Sequence, residues 1–169
     1  MLGESLLVAP VFSREGEVAY YVPAGRWTHF LTGQVIEGPS WQHERHDFLS
    51  LPLLVRPNSV MAIGKHDDRP DYDYGDGVTL RVYELTGGAQ VSADVPSQKG
   101  AVAATFSIKR ESRTIRVERQ GAAQNWQVLL VNVSAPASVE HGTAAVTPQG
   151  LLVTPTGDGR QLNVLFDAA

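Results

Sequence analysis

The chain has 169 residues, of which 43% are hydrophobic and 19% charged, which is ordinary for a soluble protein of one large or two small domains and too apolar for disorder. The net charge of −4 argues against nucleic acid as a partner, because no basic patch is available to replace phosphate counterions. The absence of cysteine excludes a disulfide framework, a thiolate metal site and a cysteine nucleophile.

The first element in the chain is a near-continuous apolar run within residues 2–11, which read LGESLLVAPV. A short run of this kind is typical of a strand that is covered on both faces. Because it is interrupted by Pro10 and is far shorter than the ~20 residues that cross a bilayer, we predict no membrane partner.

Two further blocks follow, PAGRWTHFLTG at residues 23–33 and LSLPLLVRPN at residues 49–58. In this order and spacing, the three blocks resemble the carboxyl-terminal part of glycoside hydrolase family 31, and residues 46–58 are most similar to its α-xylosidases. The resemblance implies that the first block is the last strand of the catalytic (β/α)8 barrel and that the other two belong to a β-sandwich behind it. It also implies that the chain carries no catalytic residue, since the two catalytic aspartates of the family lie on barrel strands that precede the first block.

The second half of the chain shows repeated period-two alternation, which indicates half-buried strands. Apolar residues alternate with polar ones at residues 78–83, 114–118 and 161–167, and turn signals such as Gly87-Gly88 and Gln149-Gly150 separate the runs. Residues 128–131 are apolar at every position, as in a central strand of a two-layer structure.

We therefore predict an all-β fold of two consecutive β-sandwich domains, preceded by a remnant of the last strand of a (β/α)8 barrel. The predicted domains are residues 1–10 for the remnant, 10–70 for a proximal C-terminal β-sandwich and 76–169 for a distal one, with the polar stretch 65–77 as the boundary. Outside its barrel the remnant would leave backbone groups unpaired beside apolar side chains. We expect residues 1–10 to be disordered, to fold back on the proximal domain or to pair with a second copy.

No metal site or cofactor is predicted. The acidic stretch between Asp67 and Asp76 does not follow a calcium-loop pattern, and we interpret it as a solvated linker. His43 and His46 are three residues apart, which would bring them together on a helix but not on a strand. Glu4, beside the remnant strand, is read as a loop carboxylate.

The three tryptophans raise the question of sugar binding, because an exposed aromatic face can stack on a pyranose ring. Trp27 and Trp126 lie in apolar blocks and are predicted to be core residues. Trp41 lies in the polar segment GPSWQHER and is the candidate substrate-binding residue, although contact with the barrel is an alternative use of its side chain.

The leading hypothesis is a non-catalytic region of a retaining α-glycosidase that hydrolyses terminal α-linked xylose or glucose. Its expected partner is the catalytic barrel of that enzyme, with self-association as a further possibility and weak or no carbohydrate binding. The alternatives are a free-standing carbohydrate-binding module with Trp41 as its platform, or a protein-interaction module. The resemblance favours a cytoplasmic location.

Overall fold

The computed structural model describes residues 1–136 and 138–167, and it confirms the all-β prediction. The described residues include no helix long and apolar enough to span a bilayer. The strands are β1 (Leu6–Val8), β2 (Glu17–His29), β3 (Val35–Arg45), β4 (Leu53–Val55), β5 (Ser59–Ile63), β6 (Thr79–Tyr83), β7 (Gln90–Pro96), β8 (Val102–Glu111), β9 (Thr114–Gly121), β10 (Gln127–Val131), β11 (Ser138–Glu140), β12 (Gly142–Thr147), β13 (Gly150–Pro155) and β14 (Gln161–Leu165).

The chain divides into two compact units, Met1–Ser59 and Val60–Ala169, called unit 1 and unit 2 below. The division lies before the stretch 65–77 at which the sequence analysis places the boundary. The reason is β5, which precedes that stretch but lies at the edge of a unit 2 sheet, hydrogen-bonded to β6. The stretch itself is ordered by edge-to-face contacts of Tyr72 with His66 and Tyr74, both at centroid distances of 4.9 Å.

Unit 1 contains a four-stranded antiparallel sheet in the order β1-β4-β2-β3. Its core is small, as expected when only two of the four strands are longer than three residues. The buried residues of the core are Ala9, Tyr20, Val22, Trp27, Ile36 and Leu54.

The predicted barrel remnant folds back on unit 1, which is one of the three outcomes expected for it. Strand β1 pairs antiparallel with β4, with Leu6 opposite Val55 and Val8 opposite Leu53. The pairing continues at both ends through hydrogen bonds from Ala9 N to the Pro52 carbonyl at 3.1 Å and from Arg56 N to the Ser5 carbonyl at 3.0 Å. One edge of β1 is therefore paired within unit 1, and its other edge is the edge of the sheet.

The β2–β3 hairpin forms most of unit 1. It bends at an irregularity between Val22 and Gly25, where β3 approaches so closely that a Cβ on Gly38 would lie 1.9 Å from the Pro23 carbonyl oxygen. The hairpin turn is closed by His29, whose Nδ1 accepts hydrogen bonds from the amides of Leu31 at 3.2 Å and Thr32 at 3.3 Å.

Unit 2 is a β-sandwich of two five-stranded sheets, in the orders β12-β13-β10-β6-β5 and β11-β14-β9-β8-β7. Both sheets contribute to one continuous core, with Leu80 and Leu130 from the first and Phe106, Ile108 and Leu162 from the second. The all-apolar segment at residues 128–131 falls in β10, which lies between β6 and β13 as predicted for a central strand.

Candidate functional surfaces

Three acidic side chains of the stretch 65–77, those of Asp68, Asp73 and Asp76, make local contacts. Asp76 accepts hydrogen bonds from the Lys65 ammonium and from Asn125 Nδ2, the latter at 2.8 Å. These bonds, of which the one from Lys65 has the larger effect, lower the pKa of the partly exposed Asp76 carboxyl. Among the residues that the structure describes, no group of three histidine or carboxylate side chains could hold a metal ion.

His43 and His46 lie on opposite faces of the β2–β3 hairpin. His43 is exposed on the outer face of β3, in alternation with Glu44, whose side chain turns toward Tyr20 on the core face. His46 Nε2 contacts Glu44 Oε2 at 2.8 Å, so it lies on the same side as Glu44. The spacing of three therefore does not bring the imidazoles together, in agreement with strand alternation.

A polar network runs from this core face into the loop after β3. The Tyr20 hydroxyl donates to Glu44 Oε1 at 2.9 Å, and burial, together with this bond, raises the pKa of Tyr20. His46 links Glu44 to Ser50, whose Oγ lies 3.1 Å from His46 Nδ1 and donates to Asp47 Oδ1 at 2.9 Å. The network therefore connects the strand core to the loop of residues 46–50.

The same loop holds two fully exposed apolar side chains. Asp47 Oδ1 also accepts from the Leu49 amide at 3.0 Å, and the bonds from Ser50 and Leu49 lower the pKa of the Asp47 carboxyl. Phe48 is 107% exposed and Leu49 90% exposed at the turn that these bonds define. We call Phe48, Leu49 and the equally exposed Phe12 the apolar tip.

A hollow of about 820 Å³ lies beside the apolar tip, within unit 1. It is lined by Phe48 and by Val11 and Ser13, the two neighbours of Phe12, and it carries charged groups from Arg14 and Arg45. The sequence analysis missed this surface, although Asp47 and Ser50, three residues apart, are a recognisable signal for a side-chain-stabilised turn.

Apolar exposure is concentrated in unit 1, which has about a third of the residues. The exposed large hydrophobic side chains of unit 1 are Met1, Leu2, Phe12, Tyr21, Leu31, Trp41, Phe48 and Leu49, whereas those described in unit 2 are Val102 and Val146. Scattered single residues of this kind are normal on a surface, but a cluster marks an interaction site.

The candidate residue Trp41 lies on the outer face of the hairpin, directly opposite Tyr21 on β2. The two rings make an edge-to-face contact with a centroid distance of 5.7 Å, and they are 66% and 48% exposed. Trp27 and Trp126 are 5% and 2% exposed, which confirms that they are core residues. Each donates its indole N–H to a backbone carbonyl, that of Pro23 and that of Gly159.

Comparison with known proteins gives two family matches that together cover most of the chain. The glycosyl hydrolase family 31 C-terminal domain matches residues 1–61, and the C-terminal domain of α-xylosidase YicI matches residues 73–165. The chain is 32% identical to α-xylosidase XylQ of Lactiplantibacillus pentosus over 87% of its own length and 20% of that protein. It is 43% identical to an α-xylosidase of Emericella nidulans over 48% of its own length and 12% of that protein.

Solved structures agree on the fold. A family 31 dextranase of Flavobacterium johnsoniae superposes with a TM-score of 0.75 at 15% identity, over 98% of this chain and 26% of the dextranase chain. A cycloalternan-forming enzyme of Listeria monocytogenes gives a TM-score of 0.73 at 20% identity, over 98% of this chain and 18% of that enzyme. The chain therefore belongs to glycoside hydrolase family 31, and it corresponds to a C-terminal region of the α-xylosidase and α-glucosidase type enzymes of that family.

Proposed function

We propose that this chain is the non-catalytic C-terminal region of a retaining α-glycosidase that hydrolyses terminal α-linked xylose or glucose, and that the apolar tip of unit 1 docks on the catalytic barrel. The chain spans about a fifth of the length of XylQ, so most of an enzyme of that kind lies outside the matching region. The observation that carries the proposal is the concentration of exposed apolar side chains at the tip.

Burial of the apolar tip against a partner would contribute a favourable free energy of docking. Burying Phe12, Phe48 and Leu49 against a partner is worth about 1.5–3 kcal/mol for each side chain. A flexible loop would lose part of that gain to ordering, but the bonds from Leu49 and Ser50 to Asp47 hold the turn before docking. Gly16 also holds the start of this loop, because its carbonyl accepts a hydrogen bond from His46 N at 2.9 Å. The two backbones lie so close that a Cβ on Gly16 would be 2.1 Å from the His46 carbonyl oxygen.

Two carboxylates of the network in unit 1, those of Glu44 and Asp47, are committed to structural bonds. A retaining glycosidase needs a nucleophile and an acid/base about 5–5.5 Å apart, both aimed at the substrate. Glu44 accepts from Tyr20 and pairs with His46, and Asp47 is held by Ser50. We therefore expect the isolated chain to release no product from an aryl α-xyloside above the uncatalysed rate, and turnover that disappears on substitution of a carboxylate of this chain would contradict the proposal.

A chimera tests the docking role directly. The matching C-terminal region of XylQ is replaced by this chain, and hydrolysis of an aryl α-xyloside and thermal stability are measured. The double substitution Phe48→Ser and Leu49→Ser should lower both, because it removes the apolar tip. In the isolated chain the same substitutions should change stability by no more than about 0.5 kcal/mol, since both side chains are exposed.

Val102 and Val146 provide the matched control, because they are exposed apolar residues of unit 2. The double substitution Val102→Ser and Val146→Ser should leave the chimera unchanged. Light scattering on the isolated chain gives a second readout, since an uncovered apolar tip promotes self-association that the tip substitutions should reduce. Equal activity and stability of the two double variants in the chimera would contradict the docking role.

A further inference from the structure

We propose that the outer face of the β2–β3 hairpin is a binding site for a neutral oligosaccharide, with the Trp41 and Tyr21 rings as its stacking platform. The site is independent of the docking role, because it uses neither the apolar tip nor the loop that carries it. Trp41 and Tyr21 are direct cross-strand partners, and both rings project from the face opposite the buried Tyr20 and Val22.

The platform is held rigidly. Tyr21 lies between two buried residues of β2, so its backbone cannot rotate without disturbing the unit 1 core. On β3, Gln42 Nε2 donates to Ser40 Oγ at 2.9 Å and Ser40 Oγ donates to the Glu37 carbonyl at 2.9 Å, which fixes the strand on both sides of Trp41. Aromatic side chains that are ordered before binding lose little conformational entropy when a ligand stacks on them.

The neighbouring positions on the same face carry the small side chain of Ala19 and, beside and beyond it, polar side chains. The next cross-strand pair is Ala19 with His43, and the pair after it is Glu17 with Arg45. Successive pairs on one face are about 6.6–6.8 Å apart, so the three pairs span a length suited to two or three pyranose rings. One ring can stack on the aromatic pair, and the next can pass over the small Ala19 with its hydroxyls toward the imidazole of His43.

The composition of this face favours a sugar over a protein as the occupant. A stable protein interface buries about 800 Å² on each side and uses about 20–30 residues. Here the large apolar surface is limited to two rings, because Tyr21 and Trp41 are the exposed large hydrophobic residues of the described β2 and β3 strands. The flanking charges of Glu17 and Arg45 are opposite in sign, which suits a neutral ligand with an apolar ring face and hydroxyl edges.

Intrinsic fluorescence provides a specific assay. Because Trp27 and Trp126 are buried, a change in tryptophan emission on adding isomaltotriose, a neutral α-linked oligosaccharide, reports on Trp41. We expect saturable binding with a Kd on the order of 1 mM, confirmed by calorimetric titration. The variants are compared by calorimetry, because those at Trp41 lack the fluorescent reporter. Trp41→Ala should abolish the binding, Tyr21→Ala should weaken it several-fold, and Trp41→Phe should retain part of it.

The control variant is Phe48→Ala, which removes an exposed aromatic ring of unit 1 outside this face and should leave sugar binding unchanged. Thermal melting of every variant verifies that the fold is retained. The proposal is overturned if no saturable signal appears at ten times the expected Kd, or if binding persists in Trp41→Ala. It is also overturned if Trp41→Ala changes only self-association in light scattering, because the face would then be a protein interface. The chimera assay leaves Tyr21 and Trp41 intact, so the docking role and the sugar site can fail separately.

Discussion

Truncation of Phe106 to alanine tests the central feature of unit 2, the core that its two sheets share. Phe106 lies on β8, is 0% exposed and contacts the buried Trp126 edge-to-face at a centroid distance of 5.1 Å. Phe→Ala in a packed core costs about 3–5 kcal/mol, because transfer free energy is lost and a cavity remains. That is a large part of the 5–15 kcal/mol by which a domain is typically stable. At about 2–4 °C per kcal/mol for a chain of this size, the expected decrease in Tm is roughly 6–20 °C.

The assay is urea unfolding followed by far-ultraviolet circular dichroism and by tryptophan fluorescence, with thermal melting as a check. Val102→Ala is the matched control, since Val102 lies on the same strand but is 59% exposed, and it should change the free energy of unfolding by no more than about 0.5 kcal/mol. A loss below 1 kcal/mol for Phe106→Ala would refute the reasoning, because it would mean that the two sheets do not pack on a common core around this ring.

Three further predictions concern unit 1. Burial lowers the pKa of His29, so the unfolded chain takes up a proton before the folded chain does as the pH falls. The free energy of unfolding contributed by the neutral His29 should therefore be fully present above about pH 6.5 and should decline below it. Urea unfolding measured against pH checks this, and His29→Gln should flatten the dependence. Tyr20→Phe should lower the free energy of unfolding by about 1–2 kcal/mol, because it removes the donor to Glu44. An equal loss in the Glu44→Ala background, where the acceptor is absent, would contradict a direct coupling. Gly38→Ala should lower the free energy of unfolding, measured with denaturant, by about 1–3 kcal/mol, because the added Cβ would collide with the Pro23 carbonyl. An unchanged free energy of unfolding would show that the hairpin bend relaxes freely.

The parts of the fold that the sequence predicts best are those with local patterns. The alternation of Leu80 and Val82, of Ile115 and Val117, and of Leu162 and Val164 with polar residues corresponds to β6, β9 and β14, and all six of these apolar side chains are buried in one core. The turn signal at Gln149-Gly150 corresponds to the hairpin between β12 and β13. In each case the information lies in adjacent residues, since strand periodicity and turn chemistry are local properties.

The parts that sequence reasoning misses depend on contacts between distant residues. The apolar run at Leu6–Val8 indicates a strand, but only its pairing with Leu53–Val55 shows which sheet completes it. The division between units is likewise decided by the pairing of Ser59–Ile63 with β6 and not by the conspicuous acidic stretch that follows. The apolar tip was missed for the same reason, because the exposure of Phe48 and Leu49 depends on a polar network that reaches back to Tyr20, nearly thirty residues earlier.

The two units differ in how completely each satisfies its own apolar surface, and this difference is the physical basis of the proposed docking role. Unit 2 has two sheets whose inner faces bury each other, so the sandwich leaves little large apolar surface among its described residues. Unit 1 has one sheet and six buried core residues, and a small layer of this kind buries a smaller fraction of its surface on folding. Its exposed Phe12, Phe48 and Leu49 therefore leave apolar surface in water that the proposed docking would cover, and the bonds around Asp47 hold the turn in which Phe48 and Leu49 are exposed.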